Sequence, residues 1–159
     1  MSLEAFTKVT EASKLLSQAV YDAEAGRADR LKVSILNKLL FVEDGQKHFG
    51  QAEGWGGLAE ATLRRLGGEP VLESDVLVNR ANLEMSQGHL PQARALLEQA
   101  RVLQGKALAA GHPKRARTTF LLGRLDWNAI PQDPIVWATG VVVGIGGVAM
   151  LWMLHRYRL

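Results

Sequence analysis

The sequence lacks cysteine, and one long segment of it contains no charged residue. Without cysteine, the chain forms no disulfides, offers no thiolate nucleophile and binds no metal through cysteine sulfur. Arg156 and Arg158 account for two of the 19 Lys and Arg residues, which leaves 17 basic against 16 acidic residues in 1–134. Because binding to nucleic acid needs a concentrated basic face, this near-neutral balance predicts no nucleic-acid partner.

The segment without charges, 135–154, has the length and composition of a membrane helix. Thr139 is its only polar residue apart from two tryptophans, and 20 residues at about 1.5 Å each span roughly the hydrocarbon core of a bilayer. Trp137 and Trp152 lie near its ends, where indole rings favour the membrane interface. The sequence therefore predicts one transmembrane helix, with a proline-containing linker at 129–134 before it and a short basic tail at 155–159 after it.

The predicted membrane helix would contact membrane lipid, and its glycines suggest that it also contacts another helix. Gly140 and Gly144 have the small-x-x-x-small spacing that lets two membrane helices approach closely. The alternative is the ordinary tolerance of membrane helices for glycine. The run from Gly144 to Ala149 also matches a phosphate-binding loop, but no strand–helix–strand unit follows it, so we predict no cofactor.

Before position 128, apolar residues recur with helical spacing and without the alternation typical of strands. Breaks at glycine and proline divide this region into six helices, predicted at about 2–24, 28–49, 54–66, 74–87, 91–110 and 113–127. The predicted fold is all-α, an antiparallel helical-repeat array of about six helices followed by one C-terminal transmembrane helix.

Small residues in the second half of this region have the spacing of a helical repeat. They are Ala81, Gly88, Ala93, Ala100 and Gly123. The two alanines Ala81 and Ala93 are expected where paired helices cross and only a small side chain fits, and Gly88 is expected to allow the turn. Residues 73–128 therefore resemble a tetratricopeptide (TPR) repeat, and the 42-residue interval from Ala81 to Gly123 resembles the longer repeat of kinesin light chains. The N-terminal helical region, 1–72, matches no repeat.

Residue types that carry catalysis are present but not grouped. The four histidines are His48, His89, His112 and His155. None has a second histidine or an acid at the spacing of metal ligands, so we predict no metal site. We interpret Glu43-Asp44 as solvated surface, because adjacent helical residues point apart, and His112 as a helix cap in a Gly-His-Pro turn. We predict no catalytic residue and no enzymatic activity.

The predicted partner-binding surface lies on the repeat. It comprises Asn79, Asn82, Lys114, Arg115 and Arg117. The three basic residues open the last predicted helix of the region and are suited to an acidic partner peptide or to anionic lipid headgroups. The alternative is a solvated basic face without a partner.

Helical repeat, C-terminal anchor and basic tip together resemble the tail-anchored mitochondrial fission adaptors and the plant-type outer-membrane import receptors. The resemblance implies an adaptor or receptor that recruits a protein partner to an organelle surface, with its repeat in the cytosol. The same features also fit a non-catalytic accessory or assembly subunit of a larger mitochondrial membrane complex. The expected location is a single-pass protein of the mitochondrial outer membrane, with the peroxisome as the alternative.

Deletion of 135–159 is expected to release the protein from membranes, because no other segment of the sequence has the apolar length of a bilayer. The truncated chain should remain helical. Carbonate extraction of membranes from cells that express both forms measures the effect. A truncated chain that still resists extraction would contradict the assignment of the anchor.

Overall fold

The computed structural model describes residues 3–129, with side chains described for 7–126. These residues form six α-helices and no strand, which confirms the all-α prediction for this part of the chain. None of the helices in 3–129 combines the length and the apolar character that crossing a bilayer requires. The predicted transmembrane helix, its glycine pair Gly140 and Gly144, and the basic tail lie outside the described residues.

The helices follow one another with short turns between them. They are α1 Leu3–Ala25, α2 Asp29–Gly45, α3 Phe49–Arg65, α4 Pro70–Ser86, α5 Leu90–Ala107 and α6 Pro113–Ala129. Sequence analysis extended the second helix to position 49, but the structure ends α2 at Gly45 and starts α3 at Phe49. The intervening Lys47 has a φ of +64°, in the left-handed region that glycine more often adopts. A lysine gives no sequence signal for such a turn.

Glycines occupy the left-handed positions of the later turns. Gly67 and Gly68 have φ values of +75° and +107° between α3 and α4, and Gly88 has a φ of +84° between α4 and α5. The expectation that Gly88 allows its turn is therefore confirmed. Any residue with a Cβ would be strained at this position.

Helix α2 lies at the centre of the packing. It contacts α1, α3 and α4, while α4 also contacts α3 and α5. Its buried side chains Val33, Leu36 and Leu39 join residues from α1, α3 and α4 in one apolar core. Residues up to Gly123 form one compact unit, and all contacts discussed below lie within it.

Alanines occupy completely buried positions on α3, α4 and α5. Ala81, Ala93 and Ala100 are fully buried, as the repeat spacing predicted. Ala52 and Ala59 on α3 are buried to the same degree and precede Ala93 and Ala100 by 41 residues. Gly123 differs from expectation, since it is exposed and no described atom lies within 4 Å of the place where its Cβ would be.

Charged side chains fasten α1, α2 and α3 together. Lys32 on α2 is buried and forms an ion pair with Glu24 on α1. Arg65 on α3 donates from Nε to Asp29 Oδ2 at 2.9 Å. The hydrogen bond from Lys32 lowers the pKa of Glu24, and the hydrogen bond from Arg65 lowers the pKa of Asp29. Asp29 in turn raises the pKa of Arg65.

Ala93→Leu is expected to lower the free energy of unfolding by about 1–3 kcal/mol, because the larger side chain has no room at a fully buried contact. Ala95→Leu makes the same change on an exposed position of α5 and serves as the control. Thermal unfolding followed by circular dichroism measures both variants. Equal melting temperatures for the two variants would refute tight packing at Ala93.

The pKa shifts of Glu24 and Asp29 predict a loss of stability in acid. Because both values are lowered in the folded chain, the stabilisation is complete above the ordinary values of 4.5 and 3.8 and is lost as the pH falls through the lowered values. Glu24→Gln should remove part of this dependence, whereas Glu11→Gln on an exposed position of α1 should not. Denaturant unfolding between about pH 5 and about pH 3 measures it. The prediction fails if Glu24→Gln and the unchanged chain lose stability equally in this interval.

Candidate functional site

A polar cavity of about 240 Å³ is lined by residues of α2, α4, α5 and α6. All of its lining side chains except Val78 are polar or charged: Asn37, Asp75, Asn79, Gln104, Lys114, Arg117 and Thr118. Helices α2, α4 and α6 alternate along the chain, so the cavity collects side chains that are distant in sequence. Three of the five predicted partner-binding residues, Asn79, Lys114 and Arg117, lie here.

Two asparagines join α2 to α4 at this cavity. Asn79 Nδ2 donates to Asn37 Oδ1 at 2.9 Å and to the Asn37 carbonyl oxygen at 3.3 Å. The side-chain nitrogen of Asn79 therefore donates its hydrogen bonds to the neighbouring helix α2. Asn79 positions the cavity wall in addition to lining it, a role that sequence analysis did not predict.

The charges of the cavity do not cancel. Lys114 Nζ donates to Asp75 Oδ2 at 2.6 Å, which joins the start of α6 to α4. Arg117 is exposed, and none of the described residues forms an ion pair with it. With the Lys114–Asp75 pair neutral overall, Arg117 leaves one positive charge at the cavity. This excess favours an anionic group such as a carboxylate.

Gln104 contributes a polar group that is almost completely buried. Its side chain is 1% exposed, and Oε1 has no hydrogen-bond partner in the described part of the chain. Leaving such an oxygen buried and unpaired costs about 1–3 kcal/mol. The surface predicted from the sequence does not include Gln104, although this residue continues the stripe of Ala93, Leu97 and Ala100 along the buried face of α5. A polar residue on an apolar stripe was the available signal.

The other two predicted partner-binding residues lie elsewhere. Arg115 Nη1 donates to the Leu108 carbonyl oxygen at 3.2 Å and fastens the turn before α6. Asn82 is half-buried and does not line the cavity. The Lys114 backbone N–H donates to His112 Nδ1 at 3.2 Å, which confirms the capping role of His112.

The prediction that Glu43 and Asp44 are solvated is wrong. The two residues are only 3% and 8% exposed. The physical reason for Glu43 is helix α1, which covers the end of α2 and donates the Ser13 hydroxyl to Glu43 Oε1. The position of a residue on a helix predicts the direction of its side chain, but it does not predict whether another helix covers that side chain.

Glu43 belongs to a turn that recurs 41 residues later. His48 Nδ1 lies 2.8 Å from Glu43 Oε2, and His89 Nδ1 lies 2.9 Å from Glu84 Oε2. In both turns, the histidine backbone N–H donates to the carbonyl oxygen of the same glutamate, at 2.9 Å and 2.8 Å. Gln46, Gln51 and Ala52 likewise match Gln87, Gln92 and Ala93. The turn between α2 and α3 and the turn between α4 and α5 therefore have the same structure. The sequence pattern of 1–72 did not predict this repetition.

These turn residues stabilise the fold, and their geometry is not that of a nucleophile beside a base. Ser13 and His48 both contact the Glu43 carboxylate, which lies between them. No group of three or more His, Asp or Glu residues within 3–129 is placed to hold a metal ion. The polar cavity is therefore the stronger candidate for a functional site.

No protein-family model, curated protein or solved structure matches this chain. The functional interpretation consequently rests on the residues of the cavity and on the sequence pattern. Those residues include the exposed cation Arg117 and Gln104 with its unpaired acceptor. Such an arrangement can bind a group that carries both a negative charge and a donor.

The two related turns predict unequal effects of the same substitution. Glu43→Ala removes a buried carboxylate together with its two contacts, to the Ser13 hydroxyl and to the His48 ring, with an expected loss of about 1–3 kcal/mol. Glu84→Ala removes a single contact from an exposed histidine and should lower the free energy of unfolding by at most about 1 kcal/mol. Urea unfolding of both variants measures the difference. Equal losses would contradict the role of α1 in burying Glu43.

Proposed function

We propose that this chain is a membrane-anchored, TPR-like adaptor or receptor that recruits a protein partner to an organelle surface. The partner carries an acidic segment, which binds at the polar cavity. The observation that carries this proposal is the convergence of Asn37, Asn79, Lys114 and Arg117 from alternate helices on one site. The mitochondrial outer membrane is the proposed location.

The internal repetition of the helices supports a repeat-type binding surface. Helices α2 and α3 form one antiparallel pair, α4 and α5 form the next, and α2 also contacts α4. Stacked helix pairs of this kind create extended surfaces on which repeat proteins bind their partners. The matching residues of the two turns, 41 positions apart, support descent of both pairs from one unit.

The electrostatics support an acidic partner. The unpaired charge of Arg117 lies at the cavity, while Asp75 is occupied by Lys114. An exposed ion pair contributes only about 0.2–1 kcal/mol, so charge alone gives a weak and reversible contact. Reversible capture with fast electrostatic steering suits an adaptor that exchanges partners.

The membrane part of the proposal rests on composition. Residues 135–154 supply the apolar length of a bilayer, and Arg156 and Arg158 supply a basic tip. Gly140 and Gly144 provide a surface for a neighbouring membrane helix in the same proposal.

Arg117→Glu tests the proposal with the full chain in nanodiscs as bait for cytosolic proteins. Charge reversal replaces attraction by repulsion at the cavity, so capture of an acidic partner should fall about three- to tenfold and wild-type capture should weaken as salt rises. Lys106→Glu makes the same change of charge two residues after Gln104, on the exposed face of α5, and should leave capture unchanged.

Two results would count against the adaptor. Capture that is indifferent to Arg117→Glu would place partner binding away from the cavity. A stable large assembly in mild detergent, with no exchanging partner, would favour the accessory subunit of a membrane complex instead.

A further inference from the structure

The unpaired oxygen of Gln104 is a second feature, besides the charge of Arg117, that a ligand of the polar cavity would have to match. Three buried side-chain atoms have no hydrogen-bond partner in the described part of the chain: Asp44 Oδ1, Trp55 Nε1 and Gln104 Oε1. Of these, only Gln104 lines the polar cavity. The residues that line the cavity thus include both Gln104, with its buried unpaired acceptor, and the exposed cation Arg117.

The packing of α5 does not explain why position 104 is a glutamine. Leu97 and Ala100 show that apolar residues fill this face of α5, and both are fully buried. An apolar residue at position 104 would continue their packing without an unpaired oxygen. By contrast, the buried Thr118 hydroxyl is satisfied, because it donates to the Lys114 carbonyl oxygen at 3.1 Å. Buried polar groups of native proteins almost always have partners, so the missing partner of Gln104 points to a ligand.

We propose that the Gln104 side chain turns its amide into the cavity, where Oε1 accepts a hydrogen bond from the backbone N–H of an acidic residue whose carboxylate pairs with Arg117. This inference rests on the proposed function and specifies its ligand. The occupant is an extended peptide segment with Asp or Glu, because in an extended chain the N–H is free, whereas in a helix it is bonded internally. A fully ionised phosphate offers acceptors only, so it satisfies Arg117 and leaves Gln104 unpaired.

The proposal predicts opposite effects on stability and on binding. Gln104→Met keeps the length of the side chain and removes the unpaired oxygen, so the free protein should melt at the same temperature as the unchanged chain or higher. Peptide capture should fall about tenfold, because the partner's N–H then enters a site without an acceptor. Gln99→Met makes the same change on an exposed position of α5 and should affect neither property.

The probe is a library of short, terminally blocked peptides with one central Asp or Glu among Gly, Ser and Ala, presented to the full chain in phosphatidylcholine nanodiscs. The best captured peptide is then remade with an N-methyl group on its acidic residue. N-methylation removes the donor and should weaken capture by the unchanged chain about tenfold. In Gln104→Met it should cause no further loss, since the two changes remove the same hydrogen bond.

Several outcomes would overturn the inference. These are full capture by Gln104→Met, a melting temperature of Gln104→Met below that of Gln99→Met, and equal effects of N-methylation in both chains. Binding of inorganic phosphate or of phosphatidylserine vesicles without acidic peptides would assign the cavity to another ligand. If protein partners still depend on Arg117 while no acidic peptide binds, the inference fails and the adaptor survives. If protein capture ignores Arg117, the proposed function itself fails.

Discussion

The packing of α2 is the constraint on which the first four helices depend. Val33, Leu36, Leu39 and Leu40 are completely buried, and α2 contacts α1, α3 and α4. A helix covered on several sides fixes the directions of its neighbours, because packed interiors leave little room for alternative arrangements. Its remaining polar side chains are therefore held in place by apolar contacts. Asn37 reaches Asn79 because the leucines of α2 hold the two helices together.

The apolar core positions the side chains that line the cavity. Contact between α2 and α4 brings the two asparagines within hydrogen-bond distance, 2.9 Å from Asn79 Nδ2 to Asn37 Oδ1. Helix α4 then presents Asp75 to Lys114, which holds the start of α6 against it. Arg117 follows Lys114 by one helical turn and so faces the same cavity. The polar cavity is thus a consequence of contacts between alternate helices, which no single helix pair provides.

Sequence reasoning succeeded where a steric or charge requirement fixes the residue type. Ala81 and Ala93 were predictable because a crossing admits only small side chains, and Gly88 because its turn needs a positive φ. It failed at Lys47, which adopts a glycine-like conformation without being glycine. Apolar spacing alone would place Leu15, Leu31 and Leu58 in the interior, although they are 71%, 56% and 37% exposed. Helical periodicity predicts a face of the helix, whereas burial depends on how far the neighbouring helices extend over that face.

Glu43 and Gln104 show why the cavity was only partly predictable. Both are buried polar residues, at 3% and 1% exposure, and for Gln104 the only sequence signal is its place on an apolar stripe of α5. Glu43 is satisfied twice, by Ser13 from α1 and by His48 from its own turn, so its burial is structural. Gln104 Oε1 has no hydrogen-bond partner in the described chain, and Gln104 lines the cavity together with the exposed cation Arg117. Local rules of packing are broken at functional positions more often than elsewhere, so an unsatisfied polar residue that lines a cavity marks a candidate binding site, whereas a buried but satisfied one does not.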